Sequence, residues 1–434
     1  MSCQVLVIGG GPAGSTAATL LARRGYRVML LEKACHPRFH IGESLLPMNL
    51  PIFERLGVLD KVRALGVHKN GAEFEADNER GYNTFEFKRS FGDNPPHAYQ
   101  VRREDFDCML FEHARAEGVD AREEACVKAV DQRGPRESWV HAATAQGEIR
   151  IRAGYVIDAS GRDAVLGRAR KLVRRSRVHQ TAALFGHYRG VRRREGEEAG
   201  NIGIYHFEHG WIWMIPLPDG VTSVGAVCRP DYLKQRRGGR TAFLRDTLDM
   251  HGITRERMRG AELIDGKVHA AGNYSYDSRR MGGPGWMLIG DAFAFLDPVF
   301  STGVYLAMDG AEQAAEVVDR ALVDPACERR LQRRLERRMR RGMARVAWFI
   351  HRFNTPAIKK MFRAPRDILG VERGVISMLA GDVFDSRPVR GRLLLFKLMH
   401  AAFVLTGLRR WHAARRDRRV QVSSRYAEPE EPAA

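Results

Sequence analysis

The chain has 434 residues, 71 Lys and Arg against 52 Asp and Glu, a net charge of +19, and a hydrophobic share of 44%. That composition supports a packed core and excludes a mainly disordered chain. Its six cysteines (Cys3, Cys35, Cys108, Cys126, Cys228, Cys327) are too scattered for a disulfide scaffold, and without a C-x-x-C pair no metal site is expected.

Residues 4–8 read as a buried strand, Gly9–Gly14 as a loop, 14–24 as a small-residue helix and 27–32 as a second strand, a βαβ unit suited to a nucleotide. A helical stretch is predicted over 46–65, strands and hairpins over 71–101, a helix over 104–117 and a buried strand at 155–159. Strands return over 180–228, where Trp211, Trp213 and Ile215 alternate, and again at 286–290; a long helix covers 303–322. From 328 the pattern is helical and basic. Residues 328–343 carry eight Arg and two Glu, with Leu331, Leu335, Met339 and Met343 every four residues, an amphipathic helix with an arginine-rich outer face. No nucleic-acid fold signature accompanies it, so no nucleic-acid partner is expected; the face is either solvated or a dock for an acidic partner.

The apolar run Val5–Ile8 follows no basic segment, and no stretch has the roughly 18 uncharged apolar residues of a spanning helix. The expected location is the cytoplasm. Residues 393–408 are apolar but interrupted by Lys397 and His400, which reads as a core helix or as a peripheral membrane contact. The expected organisation is a composite nucleotide-binding domain over 1–325 with β-rich insertions near 66–101 and 175–275. A helical basic region over 326–420 and a disordered tail over 421–434 would follow.

Gly9, Gly11 and Gly14 form G-x-G-x-x-G with Pro12 and Ala13 inside it, directly after a strand and at the start of a helix. The glycines permit a tight turn and close approach of a pyrophosphate, and the helix N-terminus faces its charge. Glu32, at the end of the second strand, is placed to accept hydrogen bonds from ribose hydroxyls. These residues alone leave a nicotinamide dehydrogenase open.

Later motifs favour flavin. Gly290-Asp291-Ala292 sits at a strand end where an Asp can bind ribityl hydroxyls; Asp158-Ala159-Ser160-Gly161 closes a further strand; Arg103 precedes a helix within Val101-Arg102-Arg103-Glu104-Asp105-Phe106-Asp107. As a set spanning about 1–320 they resemble the FAD-dependent monooxygenase superfamily. The resemblance implies an α/β glutathione-reductase-type FAD-binding fold with an inserted β-rich substrate region and a C-terminal helical segment. It also implies non-covalent FAD contacts at Lys33, Ser44 and Pro298.

Within that superfamily, Trp211-Ile212-Trp213-Met214-Ile215-Pro216 matches W-x-W-x-I-P, which on chemistry alone reads as a packed core strand. It resembles the signature of flavin-dependent halogenases, where Trp211, Trp213, Ile215 and Pro216 would keep substrate away from the flavin. Phe295-Leu296-Asp297-Pro298-Val299-Phe300-Ser301-Thr302-Gly303 resembles the family's flavin-face loop. There Ser301, Thr302 and Gly303 would hold a halide, while Ser301 or Thr302 would equally serve as an ordinary helix cap. Lys69, in Lys69-Asn70-Gly71-Ala72 after the run Arg38–Pro47, matches the K-x-G-A pattern that carries the catalytic lysine of phenol- and pyrrole-type halogenases. Tryptophan halogenases place a glutamate before the Ser-Thr-Gly; here Phe300 stands there, which points to the phenol or pyrrole group.

The resemblance implies FADH2- and O2-dependent halogenation of an electron-rich aromatic with chloride or bromide, through hypohalous acid and Lys69. A separate flavin reductase would supply FADH2, because no second G-x-G-x-x-G follows a strand. The aromatic is either free or tethered to an acidic acyl-carrier protein. The alternative is a flavin-dependent monooxygenase or geranylgeranyl-reductase-like oxidoreductase.

Overall fold

The structure is a computed structural model and describes residues 1–365, 367–384 and 386–406. The expected tail over 421–434, and the end of the basic region, lie outside these residues. The chain divides into two compact units. The first comprises Met1–Gly66, Val101–Arg175 and Tyr276–Ala344; the second comprises Val67–Gln100, Ser176–Ser275 and the chain from Arg345 onward.

In the first unit, Trp286–Leu288, Gly147–Asp158, Ser2–Ile8, Val28–Leu31 and Asp120–Arg122 lie side by side in that order, all parallel. Numbered along the chain, this is the 5-4-1-2-3 order of a nucleotide-binding sheet, with its ligand end outside the carboxyl ends of the strands. The central strands are continuous apolar runs, Val5–Ile8 and Val28–Leu31, because they are buried on both faces. The helix Pro12–Ala22, rich in Ala, Gly, Ser and Thr, packs closely on the helix Thr302–Val323. Cys126–Gly134 and Glu137–Thr144 extend the sheet as an antiparallel ribbon.

The arginine-rich segment is one uninterrupted helix, Glu328–Ile350, so the units divide inside it rather than at residue 326. Its first part is anchored in the first unit by buried polar bonds. Glu328 Oε1 accepts from Gly285 N (2.9 Å), and Gln332 Nε2 donates to Tyr155 Oη (2.8 Å) and to Gly283 O (3.0 Å). Arg338 chelates Asp309. The apolar stripe runs straight on through Leu335, Met339, Val346 and Phe349, so nothing in its periodicity marks the division.

The second unit is built on a mostly antiparallel sheet in the order His269–Ser278, Val173–Arg189, Thr222–Cys228, Gly210–Pro216, Ile202–Phe207, Gly71–Glu75, Tyr82–Glu86. Leu184, Tyr205, Ile212, Met214, Val224 and Ala226 form one core face, closed by Phe243 and Leu244 of the helix Arg240–Asp249. Trp211, Trp213 and Ile215 point to the opposite face by the two-residue period of a strand. A short ladder pairs Gly66–Lys69 with Ala98–Val101. The helix Arg387–Thr406 buries Val389, Leu393 and Phe396 and exposes Leu394, Leu398 and Leu405. No helix among the described residues is long and apolar enough to cross a membrane.

Candidate active site

At the carboxyl ends of the parallel strands, the glycine loop is shaped by contacts that leave no room for a Cβ. One at Gly14 would lie 1.8 Å from Gly9 O, and one at Gly9, whose φ is +99°, would lie 2.4 Å from Ala159 O. The first loop and the Asp158–Gly161 loop therefore touch backbone to backbone. The helix opens at Pro12 with no side-chain cap, so its first N–H groups face outward as an anion site. Glu32 is buried, and its Oε2 accepts from Gly10 N (2.7 Å) while Oε1 accepts from Ala34 N (3.0 Å). It thus holds the glycine loop itself, and a carboxylate's four lone-pair sites leave capacity for a ribose hydroxyl. This cradle fits a dinucleotide.

Around it stand the other residues of the first unit. Arg103 is buried and clamped by Asp107, with Nε and Nη2 at 2.8 and 2.9 Å from the two carboxylate oxygens, and it donates to Ile41 O at 2.8 Å. Asp107 was not among the expected site residues, although its i+4 spacing from Arg103 on a helix is a readable signal. Gly290 lies against Ala13 and Ala307, which brings the Gly290-Asp291 turn to the glycine loop. Burial pushes the Asp291 carboxyl up to about 6 against the pull of Arg103 and Arg162. Asp158 turns inward: Oδ1 accepts from Ser160 N (3.0 Å) and Oγ (2.6 Å), and Oδ2 from Leu166 N (2.7 Å). Its carboxylate builds its own loop. Ser44 is buried, whereas Lys33 is 58% exposed and paired with Asp163 (2.5 Å).

In the same unit, Asp297 Oδ1 accepts from Val299 N (3.2 Å) and caps the turn Pro298–Phe300; Phe300 is buried. Ser301 then adopts the left-handed conformation (φ +55°) and the long helix starts at Thr302. Ser301 occupies the cap position but its side chain makes no capping bond, because the left-handed turn carries it away from the first-turn N–H groups. A cavity of about 30 Å³ lies there, lined by Asp291, Leu296, Thr302, Gly303, Leu306 and Met339 among others, roomy enough for one water or small ion.

The second unit carries Lys69 and the tryptophan strand. Lys69 ends the strand Gly66–Lys69 with 1% of its surface exposed, and burial pushes its amine down to about 7. The chain after it is pinned: Asn70 Nδ2 donates to Glu197 O (2.9 Å), and Gly71 N donates to Asn201 Oδ1 (2.7 Å). A Cβ at Gly200 would lie 1.9 Å from His68 O, so that segment lies directly on the lysine's strand. The Lys69 amine stands over the Phe87 ring, 5.1 Å from its centroid. Trp211 and Trp213 lie 5.8 Å apart; Trp213 packs on Phe185 at 5.7 Å and donates from Nε1 to Ser223 Oγ (3.2 Å). Ile215 and Pro216 are buried beside them. Asn201 and Phe87 carry no local signal, since Asn201 meets Lys69's segment through its side-chain amide and Phe87 reaches it from the turn Phe87–Arg89.

Residues 2–348 match the family model of an FAD binding domain. A tryptophan 2-halogenase of Chondromyces crocatus is 32% identical over 426 residues, which cover 95% of this chain and 80% of that one. The solved myxobacterial chondrochloren halogenase is 33% identical with a TM-score of 0.77, covering 91% of this chain and 96% of that one. A flavoprotein/dehydrogenase from Cytophaga hutchinsonii is 29% identical with a TM-score of 0.83, covering 94% and 100%.

Proposed function

We propose, from the premise that this chain belongs to the flavin-dependent halogenase family and carries its FAD-binding fold, that it halogenates an electron-rich phenol or pyrrole through Lys69. The observation that carries this reading is a fully buried lysine at the family's lysine position, with its amine brought to about 7. Such an amine is available in both forms near neutral pH. As ammonium it hydrogen-bonds hypohalous acid and polarises transfer of the halogen; as free amine it takes the halogen first as a haloamine.

FAD, reduced by a separate flavin reductase, supplies the oxidising chemistry: FADH2, O2, halide and a proton give FAD, water and hypohalous acid. The glycine loop and Glu32 hold the dinucleotide, with Arg103 and Asp291 beside it. The uncapped N–H groups of Thr302 and Gly303 hold the halide. The ring then attacks the halogen, and its proton leaves with the hydroxyl as water. The role this reading gives Trp211, Trp213, Ile215 and Pro216, by resemblance to the family's W-x-W-x-I-P signature, is to keep the ring from the flavin.

Phe300 supports the phenol or pyrrole reading, because a ring of that electron density needs no carboxylate to assist attack. The tryptophan 2-halogenase relative favours an indole as second reading. The exposed Arg329, Arg330, Arg333, Arg334, Arg337 and Arg341 support docking of an acidic carrier that brings the ring tethered.

The test is an assay with FAD, a flavin reductase, NADH and chloride or bromide against phenols, pyrroles, indoles and carrier-tethered rings, read by mass spectrometry. The expected product carries the halide's isotope pattern, and Lys69→Ala lowers its rate at least ~10³-fold while flavin reoxidation continues. Normal halogenation by Lys69→Ala overturns the lysine mechanism, and an indole-only product pattern moves the substrate to the second reading.

A further inference from the structure

The halogen-transfer reading needs the Lys69 amine held at one place, and an aromatic ring stands against it. We propose that Phe87 is a positioning residue of Lys69, its ring face helping to hold the terminal amine at the point where halogen is transferred. The proposal rests on the reading of Lys69 given above, but its first measurement does not.

The ring lies 5.1 Å from the amine, inside the range in which a cation is attracted to an aromatic face, and that attraction strengthens as water is excluded. Both partners are almost fully buried. The ring is fixed to the lysine's own segment, since Phe87 N donates to Asn70 O at 2.9 Å, so amine and ring move together.

The charged groups on neighbouring elements have partners of their own. Glu73 is held by Arg194 (2.6 Å), Glu86 and Glu197 by Lys88 (3.2 and 3.6 Å), Glu198 by Arg80 (2.5 Å) and Arg89 by Glu372 (2.8 Å). His68 stacks on His97 at 4.4 Å and meets Tyr99 edge-on at 5.8 Å. Consecutive strand residues face opposite ways, so that cluster stands across the strand from Lys69. Burial drives the amine towards its neutral form; the ring's negative face opposes this and favours the ammonium.

The experiment replaces Phe87 in the full-length protein by 4-fluoro-, 3,5-difluoro- and 3,4,5-trifluorophenylalanine, which keep the shape and progressively weaken the ring's negative face. Lys69 is titrated by ¹³C NMR of labelled lysine, its signal assigned by its loss in Lys69→Arg. The expected midpoint falls stepwise with fluorination, by about half a pH unit or more across the series. The pH profile of halogenation should move with it, while FAD retention stays constant. Phe87→Leu, which removes the ring, should show the largest fall. A midpoint indifferent to fluorination, or Phe87→Leu titrating with the wild type, overturns the proposal. A midpoint that shifts while the halogenation profile stays fixed upholds the ring contact and overturns the catalytic reading of Lys69.

Discussion

The glycine loop of the first unit and the lysine segment of the second solve opposite problems. The loop offers backbone N–H groups to an anion, and it is formed by residues contiguous in sequence and locked by main-chain contacts at Gly9 and Gly14. The lysine segment buries a cationic side chain, and its surroundings (Phe87, and Gly200 with Asn201) come from two stretches distant from it in sequence. A site made of backbone is written in one short motif. A site made by burial is written across the fold, and its chemistry is a property of packing.

The largest effect should come from breaking the backbone site. Gly14→Ala puts a methyl 1.8 Å from Gly9 O, a contact that only movement of the main chain relieves. The expected outcome is loss of bound FAD after gel filtration, at least ~100-fold weaker binding, with the fold monitored by circular dichroism.

Next comes the cost of the buried amine. Its folded pKa of about 7 lies below the ordinary 10.5, so between these values the unfolded chain binds the extra proton and stability rises with pH. Below about pH 7 the fold must hold a buried ammonium, a penalty on the order of 3–5 kcal/mol. Lys69→Met should therefore stabilise the protein most at pH 6, with the gain shrinking through pH 7–10 and gone above 10.5. Denaturant melts at pH 6 and pH 10 check this, and a gain independent of pH would show that the amine is not desolvated.

The smallest effect belongs to Lys33, half-exposed and paired with an equally exposed Asp163. Lys33→Ala should change stability by less than about 0.5 kcal/mol and leave FAD retention unchanged by equilibrium dialysis. A clear loss of FAD would place this surface lysine back at the cofactor.

The central strands of the parallel sheet were legible because Val5–Ile8 and Val28–Leu31 are unbroken apolar runs and the loop between them is a motif, whereas the edge strand Asp120–Arg122 is polar and carries no such signal. Glu32 was legible by its position at a strand end, though not its bond to Gly10. Asp107 stood within the run that pointed to Arg103, but that it holds the guanidinium with both oxygens is visible only in three dimensions. Asp158 reads as a ligand-facing acid until the Ser160 and Leu166 bonds account for its oxygens. The division inside Glu328–Ile350 left no trace, because a helix that changes neighbours midway keeps the same 3.6-residue stripe. Lys69 was found through family resemblance; its burial depends on strand pairings that no local pattern displays.

Gly200 has a consequence for how a lineage of such chains can drift. When a new methyl collides with a side chain, a second substitution can shrink that side chain and restore the fit. The atom facing Gly200 is His68 O, and every amino acid brings the same carbonyl oxygen. No compensating exchange at residue 68 exists. A position outside every motif is thereby closed to gradual change, and a combinatorial library that varies it should return glycine whatever its neighbours become.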